Sequence, residues 1–304
     1  MNEVYEVLDG EFVRLIESEA PLVTLCTGTD FGEGPAYFPA ARSLVWSDIT
    51  NDRMLRYDEC TGQVGTFREP SRFANGNTVD REGRLLTCEG GSRRVTRTEH
   101  DGTITVMVDR YQGKRLNSPN DVVVKSDGSI WFTDPSYGVD EARFGGGGAS
   151  EIGAQNVYCV DPHRATVEVV CDDFVQPNGL AFSPDETLLY IVETGGTHVA
   201  GLPFTTSVYQ VSDGRRLSGG RLFAECTPGG FDGLRIDELG NIWTSGGKGV
   251  HCYRADGTWL GSIKVAGEHV TNVAFGGPDR RRLFITAERA LYSVELAVRG
   301  TKTF

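Results

Sequence analysis

The chain has 304 residues, of which 39% are hydrophobic, and its 30 Lys and Arg against 42 Asp and Glu give a formal net charge of −12. That length permits one large domain or two ordinary ones, while the acidic balance excludes a basic footprint for nucleic acid and disfavours adsorption to anionic lipid. The seven cysteines are odd in number and form no C-x-x-C pair, so reduced thiols in a cytoplasmic protein are expected rather than a disulfide framework or a thiolate zinc site.

The N-terminal stretch "MNEVYEVLDGEFVRLIE" is acidic and lacks a basic start followed by an apolar core, so it does not read as a secretory signal. No run approaches the ~18 apolar residues of a membrane span. Residues 1–19 read as a peripheral arm on a single domain covering 1–304. The first strand is "PLVTLCT" (21–27).

From residue 30 onward the chain repeats a two-strand unit six times. The first strands are "GPAYFPA", "NTVDREG", "DVVVKSDG", "GLAFSPDE", "GLRIDELG" and "NVAFGGPD". Their partners are "RSLVWSD", "GRLLTCE", "GSIWFTD", "TLLYIVE", "GNIWTSG" and "RRLFITA". Asp-Gly, Pro-Asp and Asp-x-x-Gly turns lie between them, as hairpins prefer. Leu44, Leu85, Ile130, Leu189, Ile242 and Leu283 mark equivalent positions, about 40–60 residues apart, near the period of a four-stranded propeller blade. Two longer intervals hold the insertions 143–153 and 194–207. The pattern predicts an all-β, six-bladed β-propeller. The last blade, ending on "ALYSVELAV" (290–298), lacks one strand. "PLVTLCT" would supply it, pairing the two ends of the chain and covering an open edge.

In a propeller the innermost strands border the central channel, and their first residues face its mouth. Here these are Glu33, Asn75, Asn120, Asn178, Asp232 and, across a longer turn, Thr271 or Asn272. Asn and Asp are poor strand residues. Asn-Gly and Asp-Gly turn chemistry explains some of them, but not Glu33 in "DFGEGPAYF" or Asn120 in "SPND". Two carboxylates and several amide oxygens form a hard-oxygen set suited to Ca²⁺. Mg²⁺ or Mn²⁺ are alternatives, with Zn²⁺ less suited to a set without Cys or His. Gly32 and Gly34 are expected to clear space for the cation.

"EGPAYF", "LNSPNDVVVKSDGSIWFTDPSYG", "QPNGLAFSPDETLLYI" and "FDGLRIDELGNIW" resemble the senescence-marker-protein/gluconolactonase family. The resemblance spans about Phe31 to Ala287 and is nearest to the bacterial gluconolactonase branch. It implies calcium-dependent opening of sugar lactones, with metal ligands at Glu33, Asn120, Asn178 and Asp232. Animal members carry an arginine two residues before the metal-binding Asn; here that residue is Ser118, so substrate handling is expected to differ. The same kind of cage serves phosphotriester hydrolases, and propellers also act as non-catalytic scaffolds, so fold alone does not decide.

The expected chemistry is polarisation of a lactone carbonyl by the cation and attack by water, with a carboxylate taking the proton. Asp232 is the first candidate base. Asn75, Asp134, Tyr137, Glu193 and His269 are candidate substrate contacts; Asp134 and Glu193 are also second-line bases. The other histidines, His198 among them, fall in outer strands or loops. Trp46, Trp131 and Trp243 are expected in the inter-blade core. There is no G-x-S-x-G, H-E-x-x-H or P-loop motif.

Overall fold

The computed structural model describes residues 3–163, 165–213, 215–227 and 229–302. Six antiparallel sheets stand around one channel. Blade one is Gly32–Phe38, Ser43–Asp48, Arg53–Asp58 and Val64–Arg68; blade two is Ala74–Val79, Leu85–Glu89, Arg94–Thr98 and Ile104–Val108. Blade three is Val122–Val124, Ile130–Asp134, Asn156–Asp161 and Thr166–Cys171; blade four is Pro177–Phe182, Leu188–Glu193, Thr205–Ser212 and Arg216–Glu225. Blade five is Leu234–Ile236, Ile242–Ser245, Gly249–Tyr253 and Trp259–Lys264; blade six is Val270–Gly276, Arg282–Ala287 and Ala290–Glu295. Each innermost strand touches the next, and that of blade six touches blade one.

The ring closes as the strand count predicts. Val23–Thr27 pairs antiparallel with the third strand of blade six, Val23 opposite Ser293 and Thr27 opposite Ala290. The preceding segment makes a second closure. Tyr5–Val7 pairs with the outer strand of blade five, and Phe12, Leu15 and Ile16 are buried against Trp243, Val250 and Leu260.

The second strands are buried on both faces, "SLVWSD" along its whole length, because each blade is sandwiched by its neighbours. Trp46, Trp131 and Trp243 are fully buried and bridge adjacent blades. Trp131 meets Phe182 of blade four edge-on at 5.3 Å, and Trp243 meets Phe275 of blade six at 6.3 Å. Side chains of this size each contribute roughly 3 kcal/mol on burial. The indole N–H groups of Trp131 and Trp243 donate to Ser129 Oγ and Asp237 Oδ2.

Among the described residues no helix is long and apolar enough to cross a membrane. No disulfide joins any of the seven cysteines, and five of them are buried.

Candidate metal centre at the channel mouth

The innermost strands begin at one end of the channel, and neighbouring starts are stitched together. Gly76 N–H donates to Asn120 O at 2.7 Å, Gly179 N–H to Asp232 O at 3.1 Å and Gly233 N–H to Thr271 O at 2.8 Å. Thr271 Oγ1 donates to Gly32 O at 2.6 Å, crossing the ring closure. The glycines therefore serve another purpose than clearing space for an ion. A Cβ on Gly34 would lie 2.1 Å from Asn75 O, one on Gly76 2.4 Å from Asn120 O, and one on Gly179 2.3 Å from Asp232 O. Each glycine admits the backbone of the next blade.

This packing gathers Glu33, Asn178, Asp232 and Asn272 at the mouth. Asn272 Nδ2 donates to Glu33 Oε2 at 3.0 Å, and Gly34 N–H donates to the same oxygen. Glu33 Oε1 is buried and has no hydrogen-bond partner; the same holds for Asn75 Oδ1. Desolvation pushes the Glu33 carboxyl up to about 7, aided by the charge of Asp121 and opposed by Asn272. Desolvation also holds Asp232 well above the usual carboxylate range, with the charges of Glu33 and Asp121 adding to the effect and Asn178 opposing it. Buried acceptors without donors and carboxylates that resist ionisation both call for a cation. Among the described residues no three Asp, Glu, His or Cys side chains cluster as a cation site, so the donor set that fits is two carboxylates completed by amide oxygens. Either Thr271 or Asn272 was expected in the sixth slot. Both contribute, Thr271 to the stitching and Asn272 to Glu33.

The residues ending the second strands hold this ring in place. Asp134 is fully buried; its Oδ2 accepts Asn117 N–H at 2.8 Å and its Oδ1 accepts Ser118 N–H at 2.9 Å, just before Asn120. Glu193 accepts the N–H groups of Val175 and Gln176, just before Asn178, and that of Gly195 in the blade-four insertion. Asp48 accepts N–H groups of Asp30 and Phe31, just before Glu33. In blade five Ser245 Oγ accepts Asp232 N–H at 2.7 Å. Asp134 and Glu193, read from sequence as substrate contacts or bases, are thus engaged by backbone. Burial pushes Asp134 up to about 7 against the pull of those two N–H donors. His269 is farther out: 43% of its side-chain surface is exposed, with Glu288 at 4.0 Å.

Both insertions sit over the mouth. The blade-three connection between Asp134 and Asn156, which contains the 143–153 insertion, forms α1 (Tyr137–Asp140) and α2 (Ala142–Gly145). Ser118 anchors it, donating to Pro135 O and accepting Gly138 N–H. Phe144 packs edge-on against Phe31 at 5.1 Å. The Tyr137 hydroxyl lies 2.6 Å from Thr194 Oγ1 and 2.9 Å from Thr197 Oγ1 of the blade-four insertion. Burial pushes this phenol up to about 12, the charge of Asp232 adding to the effect. His198 joins the same group, with Nε2 3.1 Å from Asp140 Oδ2 and its ring edge-on to Tyr137. Its position between two glycine-rich loops gave no sequence signal for this contact.

Residues 31–289 match the family model described as SMP-30/Gluconolactonase/LRE-like region. The chain is 28% identical to the gluconolactonase of Zymomonas mobilis subsp. mobilis over 95% of this chain and 84% of that protein. It is 34% identical to pentonolactonase XacC of Haloferax volcanii over 86% of this chain and 82% of that one. The solved structure of XC5397 from Xanthomonas campestris, described as a gluconolactonase, superposes with a TM-score of 0.90 at 37% identity, covering 97% of this chain and 95% of that one. With its repeat, its closed ring and its acid-amide mouth, the chain belongs to the SMP-30/gluconolactonase/LRE-like family.

Proposed function

We propose that this chain is a lactonase, a carboxylic-ester hydrolase that opens sugar lactones with the help of a divalent cation, Ca²⁺ first among them, at the channel mouth. The observation that carries the reading is the pair of buried, unpartnered oxygens, Glu33 Oε1 and Asn75 Oδ1, in a chain whose relatives are gluconolactonases and pentonolactonases. Glu33, Asn120, Asn178 and Asp232 would hold the cation. When bound it supplies Lewis acidity for the lactone carbonyl and charge for the developing oxyanion.

The rest of the chemistry falls to the chain. Asp232 is the general base that takes the proton of the attacking water at a carboxylate oxygen. Asn178 favours its ionised form by hydrogen bonding. Asn272 orients Glu33 through the 3.0 Å bond to Oε2, leaving Oε1 free. Tyr137, Thr194 and Thr197 present hydroxyls beside the mouth, which suit the hydroxyls of a sugar ring, and Phe144 with Phe31 limits water access. Asp134 and Glu193 act by fixing the loops that carry Asn120 and Asn178. Seven cysteines with no disulfide among them suit a reducing compartment such as the cytoplasm.

The test is hydrolysis of glucono-δ-lactone and a panel of other aldonolactones by chelated and calcium-restored protein. Activity lost with chelator and regained with Ca²⁺ is expected. Lactone hydrolysis indifferent to chelator would overturn the cation's part, and no hydrolysis of any lactone would overturn the substrate class.

A further inference from the structure

We propose that the cavity at the far end of the channel is a second ligand site, which takes a carboxylate borne on an apolar body and holds it apart from the chemistry at the mouth. This goes beyond the reading above and does not depend on a bound cation.

The cavity, about 380 Å³, lies on the channel axis, because all six innermost strands line it: Ala36, Val79, Val124, Ala181, Ile236 and Ala274 come one from each blade. That size is near the lower end of the ~300–1,000 Å³ of small-molecule sites. Basic side chains outnumber acidic ones around it, Arg81, Arg235, Arg280 and Lys302 against Asp185 and Glu186, in a chain whose net charge is −12. Most of these charges are already engaged. Arg235 Nη1 lies 3.3 Å from Asp121 Oδ2 and donates to Leu234 O at 2.7 Å. Glu186 accepts Ser126 N–H at 2.7 Å and has Lys125 at 3.3 Å and Arg81 at 3.7 Å. Asp185 accepts the hydroxyls of Ser183 and Thr187. Arg280 differs. Among the described residues no carboxylate pairs with it; its Nε donates to Gly300 O at 3.2 Å, and its own carbonyl accepts Gly300 N–H at 2.8 Å.

The backbone makes an arginine at this position an unfavourable choice. Each blade passes from its first strand to its second through one hydrogen-bonded turn, and the residue closing that turn has a positive φ. Blades two, three and five place Gly83, Gly128 and Gly240 there, donating to the carbonyls of Asp80, Lys125 and Asp237. Blades one, four and six place Arg42 (φ 45°), Glu186 (57°) and Arg280 (56°), in a conformation that favours glycine. Two of these three have a visible partner. Arg42 pairs with Glu59 at 3.2 Å, and Glu186 holds Ser126 of the blade-three turn. Arg280 has no acid to hold, and its side chain lines the cavity with Lys302. Residues kept in such conformations mark ligand clamps. A guanidinium at an apolar pocket offers a carboxylate two parallel N–H donors, and the wall receives the apolar body. Phosphate sites draw instead on backbone N–H groups at helix N-termini and glycine-rich loops. Here the lining is strands, hairpin turns and residues 301–302.

The experiment titrates octanoate into chelated protein by calorimetry, beside acetate, octylamine and octyl phosphate. Chelator keeps the result separate from the cation reading. One octanoate per chain is expected. Acetate, lacking the apolar body, should bind about tenfold or more weaker, and octylamine should not saturate. R280G suits the turn and should unfold in urea no earlier than the wild type. It should weaken octanoate by about tenfold or more, and R280K, which keeps the charge, by less. Glu33→Gln should leave octanoate binding unchanged. Failure of octanoate to bind, equal binding by R280G, weaker binding by Glu33→Gln, or octylamine or acetate bound as tightly as octanoate would overturn the site. Octyl phosphate bound more tightly than octanoate would overturn the carboxylate. If R280G unfolds early, R280N carries the same expectation, since asparagine also tolerates a positive φ.

Discussion

The two ends of the channel are built from the two ends of the same six strands, and they differ in kind. At the mouth, strand starts present Glu33, Asn75, Asn178 and Asp232, with two oxygens lacking partners. At the far end, strand ends and turns enclose a cavity of about 380 Å³ lined by Arg81, Arg280 and Lys302 as well as Asp185 and Glu186. There the acids are satisfied. Glu186 accepts Ser126 N–H at 2.7 Å and has Lys125 at 3.3 Å, while Asp185 accepts the hydroxyls of Ser183 and Thr187. The end that encloses this cavity is thus the chemically quieter one. Unsatisfied acceptors, more than volume, mark where a ligand is required.

The largest effect expected from this contrast is at the mouth. Glu33→Gln and Asp232→Asn should each lower kcat/KM on a lactone by ~10³-fold or more, the scale of losing a principal electrostatic element. A loss under about tenfold in steady-state assays would remove the mouth's special status. Next is the clamp behind it. Asp134→Ala strands the N–H groups of Asn117 and Ser118, each costing about 1–3 kcal/mol when buried unpaired. Urea unfolding should register that loss, and calcium affinity should weaken as Asn120 shifts.

A third effect is on pH dependence. The Glu33 and Asp134 carboxyls are raised to about 7, so the folded chain keeps protons that the unfolded chain releases. In chelator, stability should be greatest near the unfolded carboxylate range of about 4 and fall as pH rises towards about 7. Calcium should reduce the part of that fall due to Glu33 by favouring its ionised form, and leave the Asp134 part. Urea midpoints at pH 5 and pH 8, with and without Ca²⁺, check the sign. The smallest effect belongs to the far end: Arg81→Ala and Arg280→Ala should leave lactone kcat/KM within about twofold, as expected of sites remote from the chemistry.

Much of this was legible in the sequence, for a physical reason. Each blade solves the same packing problem, so hydrophobic pattern and turn residues recur, and the strand supplied by "PLVTLCT" follows from counting. The channel residues were legible because Asn, Asp and Glu recur where strands prefer other residues. Less legible was anything depending on contact between repeats. Asp134 and Glu193 look like free acids until the backbone N–H groups they receive are seen. Gly34 looks like room for a ligand until the Asn75 carbonyl is found behind it. The Arg235–Asp121 pair joins blades far apart in sequence, and "YEV" (5–7) is too short to announce itself as a fifth strand of blade five.

The double closure bears on how the chain acquires its fold during synthesis. Val23–Thr27 and Tyr5–Val7 leave the ribosome before any of the blades, yet their partners lie in the last two blades. Until those blades are made, the earliest strands have no edge to join, and the growing array keeps an open flank at each end. Pairings across nearly the whole chain form late, because loop closure precedes any gain from contact. The ring is therefore most exposed to edge-to-edge misassembly in the interval before its last strands emerge. Once its two ends are stitched twice, local fraying at either terminus no longer opens it.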